Sequence, residues 1–221
     1  MRLSTSFVAT LASLAAVTAC GDDPSSGGVD AHIDQPVADA PVAPTPVEFG
    51  NVARTCTPDN AVSPVLPGEA GHYAATSLTP PSYPFTVDKV SYSLQMNGSN
   101  CHGGLAHRVL VFTASGEPAA APSAGAMASI DVPAGADADR WVDLTLPNPI
   151  TLTSGQTLVV AVQMASDGAD RSVCLSACPG SAAGHDWWSN AAAEPYAWAD
   201  MFADFGFTSA YVIVAEGTPG A

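Results

Sequence analysis

From residue 48 onward, short apolar runs alternate with clusters of Gly, Pro, Asn and Asp. The runs are FTVDKVSYSLQM, HRVLVFTA, ASIDVPA, RWVDLTL, QTLVVAVQM, RSVCLSA and AYVIVAE, rich in Val, Leu, Thr, Tyr and Phe. Runs of this length and composition, bounded by turn residues and lacking a long 3.6-residue stripe, predict an all-β domain over residues 48–221, an antiparallel β-sandwich or barrel. Within QTLVVAVQM, Leu158, Val160 and Val162 face one way, and Val159, Ala161 and Gln163 the other. Both faces are mostly apolar, which predicts a central strand. Trp198, Met201, Phe202 and Phe205 fall at i, i+3, i+4 and i+7, the spacing of one helix face, with Gly206 placed to cap it. Pro195 and the neighbouring strand-like segments support the other reading, an aromatic strand and loop, and both stand at this point. No internal repeat is visible.

The pattern before residue 48 is different. Residues 21–47 contain Pro, Gly, Ser, Ala and five aspartates without Lys or Arg, and little that could be buried, so a disordered tether is expected, His32 included. At roughly 3 Å per residue in its polyproline parts, it would hold the domain tens of ångströms from its attachment point. Residues 1–19 read as an export signal: Arg2 is positive, residues 3–17 are apolar, and no acid precedes Asp22. The run is too short for a stable bilayer span. Val17-Thr18-Ala19-Cys20 resembles the lipobox of bacterial lipoproteins, in which the cysteine is acylated and becomes the new N-terminus. The resemblance implies a lipid bilayer as partner through acylated Cys20. An acyl chain contributes roughly 0.8 kcal/mol per buried methylene, and two chains anchor where one does not. With Gly21 rather than Asp after the cysteine, the resemblance implies the outer membrane, the domain being periplasmic or surface-exposed. Cysteine parity agrees: Cys56, Cys101, Cys174 and Cys178 remain as an even set for two disulfides. An ordinary cleavage site would instead leave one odd thiol.

Residues 111–163 resemble the jelly-roll modules of bacterial secreted proteins: a strand ending in a Gly-Pro turn, a Trp strand, a proline, a short strand and a Gly hinge before a long apolar strand. Such modules are commonly binding or accessory domains. The resemblance implies a fold, since sandwiches host many unrelated functions.

Charge narrows the partners. Acidic residues outnumber basic ones 21 to 6, a net charge of −15, which disfavours nucleic acid and anionic lipid surfaces. Neutral glycans, divalent cations and basic proteins remain. There is no Gly-x-Ser-x-Gly elbow, His-Glu-x-x-His pair, phosphate loop or dinucleotide fingerprint, which favours a non-catalytic module over an enzyme. No cofactor is implied. Cys101, His102 and His107 have a metal-like spacing, but an exported Cys101 is expected to be oxidised, and Arg108 is a poor neighbour for a cation. Calcium is the better metal candidate, through Asp137 and Asp139 or Asp167 and Asp170, although each cluster ends in an arginine able to pair with it.

The strongest suggestion of a ligand site is GHDWWSNAAAEPYAWADM. Aromatic faces cover the C–H patches of sugars while carboxylate, amide and imidazole groups bond hydroxyls. The candidates are His185, Asp186, Trp187, Trp188, Asn190, Tyr196 and Trp198. On a strand, Trp187 and Trp188 point to opposite faces, so both cannot enter one core, and one is expected to be exposed or covered by a loop. Three function classes follow: a glycan- or envelope-component-binding lipoprotein; an assembly or spacer lipoprotein whose aromatics are all internal; and a hydrolase using Asp186 and Asp200. Three disulfide pairings are open, among them Cys174 with Cys178 and Cys56 with Cys101.

Overall fold

A computed structural model describes residues 44–220, apart from 65, 67, 97–100, 102–103, 119–124, 136–140 and 169–170. Cys20, His102, Asp137, Asp139 and Asp170, all named above, lie outside the described residues.

The segment QTLVVAVQM sits at the centre of the architecture, as its two apolar faces predict. Strand β8 (Thr157–Gln163) is buried from Leu158 to Val162. It belongs to a six-stranded antiparallel sheet in the order β11 (Trp198–Asp200), β10 (Asp186–Ser189), β3 (Tyr73–Leu78), β8, β5 (His107–Ala114), β6 (Ala128–Val132). A four-stranded antiparallel sheet runs β1 (Val47–Gly50), β13 (Ile213–Pro219), β4 (Phe85–Ser93), β7 (Trp141–Leu152). A small third sheet orders β12 (Ser209–Tyr211), β9 (Leu175–Pro179), β2 (Asn60–Val62). The single described helix, α1 (Met201–Phe205), follows β11. The domain is an all-β sandwich.

Side-chain alternation divides its apolar residues between two clusters. Leu158, Val160 and Val162 pack in the main core with Val90 and Tyr92 of β4 and Ile213 of β13, so the two large sheets bury their facing sides together. Val159 and Ala161 point the other way, into a satellite cluster with Tyr73, Leu110, Phe112, Trp187 and Tyr196 on the outer side of the six-stranded sheet. The run RWVDLTL continues through Pro147 and Pro149 to Leu152 because β7 is an edge strand, where a missing N–H leaves no ladder bond unmade.

The disulfides are Cys56–Cys178 and Cys101–Cys174, rather than Cys174–Cys178 with Cys56–Cys101. Geometry rules out the local Cys174–Cys178 bridge: the chain is extended over β9, and residues four apart on a strand are separated by about 13 Å, twice the Cα span a disulfide tolerates. His107 is structural. Its Nε2 lies 2.6 Å from the Tyr92 hydroxyl and its Nδ1 donates to the Leu105 carbonyl at 2.8 Å, deep in the sandwich.

Candidate functional site

Strand β10, DWWS, is hydrogen-bonded on both sides. Trp187 stands opposite Ala75 of β3 and Asp200 of β11, and Trp188 opposite Ala74 and Ala199. The two indoles do leave the sheet on opposite faces, but both faces are covered: Trp187 is 4% and Trp188 7% exposed. Trp187 lies in the satellite cluster, its Nε1 donating to Ser77 Oγ at 3.1 Å. Tyr196 packs there edge-on to Tyr73 at 5.5 Å and stacks on the half-buried Trp198 at 5.9 Å. Trp188 belongs to the main core. Of the two expected outcomes, exposure of one indole or its cover by a loop, exposure does not occur; Trp187 packs with Tyr196 of the loop between β10 and β11 in the satellite cluster, while Trp188 enters the main core.

Asp186 is wholly buried. Its oxygens accept from Ser181 Oγ at 3.1 Å and from the Tyr211 backbone N–H at 3.3 Å. Burial pushes its acid up to about 7, against the opposing hydrogen bonds of Thr76, Ser181 and Tyr211, with the Asp200 charge adding to the rise. Burial also holds the Tyr211 hydroxyl well above its ordinary value, and the Asp186 charge adds to this. Asp200 is occupied as well: Oδ1 accepts from the N–H groups of Phe202 and Ala203, both at 2.9 Å, and Oδ2 from Gly184 at 2.5 Å. These two carboxylates serve the fold, one sealed in the interior and the other capping a helix.

His185 is half-buried, its carbonyl accepting from the Ser77 N–H at 2.8 Å, and Asn190 is exposed at the end of β10. The seven aromatic and polar candidates thus divide among two cores, a turn and the surface rather than converging on one cleft. Asp167 forms an ion pair with Arg171, whose Nε donates to Oδ2 at 2.6 Å, and no group of three or more acidic, His or Cys side chains suited to a metal occurs among the described residues.

What the structure does bring together is a groove of about 220 Å³ lined by Val62, Ser63, Glu69, Trp188, Met201 and Phe205. Trp188, though largely buried, contributes to one wall. The opposite wall is α1. Asp200 fixes its first turn, and Gly206, at φ 66°, ends it by donating to Phe202 O, while Phe207 donates to Met201 O. A helix of five residues buries none of its side chains, so Phe205 remains 58% exposed and Phe202 40%. Leu66, 63% exposed, and Glu69 share a turn at the groove, where the Leu66 N–H donates to Glu69 Oε2 at 2.8 Å. The spacing of Trp198, Met201, Phe202 and Phe205 signalled this helix. Val62, Ser63 and Glu69 carried no signal, because only tertiary folding sets them opposite it.

No family model matches this sequence, and no curated protein does. Among solved structures the chain is similar to the cysteine protease and lectin-like domains of Cwp84, a surface layer associated protein of Clostridium difficile, at 13% identity and a TM-score of 0.47, over 67% of this chain and 32% of that one. The Clostridial cysteine protease Cwp84 after propeptide cleavage gives 13% identity and a TM-score of 0.47, over 67% of this chain and 36% of that one. The chain spans about a third of the length of those structures.

Proposed function

We propose that this is an envelope-anchored lipoprotein, held in the outer membrane by acylated Cys20, with residues 21–47 as spacer and the β-sandwich as a non-catalytic module binding a glycan or another envelope component. The observation that carries the binding role is the groove between Trp188 and α1, where two phenylalanines on one short helix stay in water beside an apolar recess. Exposed aromatic side chains gathered at a concavity are characteristic of contact surfaces. The test is co-sedimentation of the full chain with peptidoglycan sacculi and with outer-membrane vesicles, wild type against Phe205→Ala. At least tenfold weaker retention of the variant, with unchanged thermal unfolding, supports the reading. Equal retention overturns it.

A second reading, an assembly or spacer lipoprotein, is favoured by the burial of Trp187, Trp188 and Tyr196, which leaves the aromatic segment largely internal. It expects wild type and Phe205→Ala to behave alike in the same assay.

A further inference from the structure

We propose that the groove between Trp188 and α1 takes an apolar side chain from a Lys/Arg-rich polypeptide segment of a partner protein; the proposal rests on the binding reading above and names its occupant. Size and wall chemistry come first. A recess of about 220 Å³ walled by Val62, Trp188, Met201 and Phe205 admits one or two aliphatic or aromatic side chains. It offers few hydroxyl-bonding groups, Ser63 and Glu69 being the polar residues of its lining. A sugar ring needs several such groups to replace the water it loses.

Charge completes the argument. The lining comes from Val62, Ser63 and Glu69 in one part of the sequence and Trp188, Met201 and Phe205 in another, and the stretches of sequence 55–88 and 172–220 around them contain no Lys or Arg. Glu69 lies in the lining and Asp204 on the exposed helix beside it. The described cations stand elsewhere and are already paired: Arg54 with Glu48 and Asp143, Lys89 with Asp143, Arg108 with Asp131, Arg171 with Asp167. An apolar recess rimmed by one sign of charge, in a chain of net charge −15, complements a segment in which an apolar side chain is flanked by cations.

The experiment titrates the full chain with acetyl-Lys-Leu-Lys-Phe-Lys-Leu-Lys-amide, following intrinsic tryptophan fluorescence, to which the peptide contributes nothing. The counterpart with Glu in place of every Lys is the control. The expected result is at least tenfold tighter binding of the Lys peptide, weakened at least fivefold by Phe205→Ser and by Glu69→Gln. Phe205→Ser leaves the net charge unchanged, so it separates seating in the groove from general attraction to an acidic protein. Lys-peptide binding indifferent to Phe205→Ser, or equal affinity for the two peptides, overturns the proposal. If envelope retention depends on Phe205 but neither peptide binds, this inference fails and the binding reading survives. If retention is independent of Phe205, both fail.

Discussion

Asp186 accepts hydrogen bonds from Ser181 and from the Tyr211 backbone in full burial, with Asp200 as a charged neighbour and no cation among its partners. Its folded-state pKa of about 7 lies above its ordinary value of 3.8, so the native state holds this proton more tightly than the unfolded chain does. The stabilisation is complete below pH 4 and is lost as pH rises towards 7, a change of about 4 kcal/mol at most. Urea unfolding at pH 5 and pH 8 should show wild type losing more stability than Asp186→Asn, whose amide retains an acceptor for Tyr211 N–H without ionising. Identical losses would remove Asp186 as the cause. At Trp187 and Trp188 the alternation of faces was legible in the sequence, but the satellite core around Trp187 was not, since its members come from β3, β5, β8 and the segment before β11, which only tertiary folding brings together. Trp188→Ala and Trp187→Ala should each cost about 3–5 kcal/mol by chemical denaturation. Neither substitution can therefore serve as a clean test of binding.

At the scale of elements, the seven apolar runs seen in the sequence all became strands, while β1, β2 and β3 were missed. Strand β3, YAATSL, is completely buried between β8 and β10, yet between Tyr73 and Leu78 it carries only Ala, Thr and Ser, which give no apolar run. No local pattern announces that. The two readings of the Trp198 stretch both proved partly right: Trp198 ends a sheet and Met201 begins a helix, with Asp200 at the junction. Asp200→Ala should lower stability by about 1 kcal/mol through the lost cap. Gly206→Ala should cost about 1–2 kcal/mol for its left-handed backbone alone, the space around it being open. Gly217, at the bulge of β13, is a different case: a Cβ there would run into the Thr86 carbonyl. Gly217→Ala should therefore destabilise by at least as much as Gly206→Ala, through displacement of β4. Thermal midpoints of the three variants, measured together, check the ranking.

Across the whole molecule, the two bridges are nested, Cys101–Cys174 inside Cys56–Cys178, and their C-terminal partners stand immediately before β9 (Cys174) and within it (Cys178). That Cys56, Cys101, Cys174 and Cys178 form two disulfides was legible in the sequence; the pairing was not, because it depends on β9 being extended rather than turned. Replacing both Cys101 and Cys174 by Ser should cost about 4 kcal/mol, since the bridge closes a loop of 73 residues. Denaturant midpoints with and without reductant would show it. Nesting also makes the domain tolerant of scission. A protease that severs the backbone once anywhere between Cys101 and Cys174 leaves two pieces joined by both sulfur links, so a nicked copy migrates as one species until a thiol releases the halves.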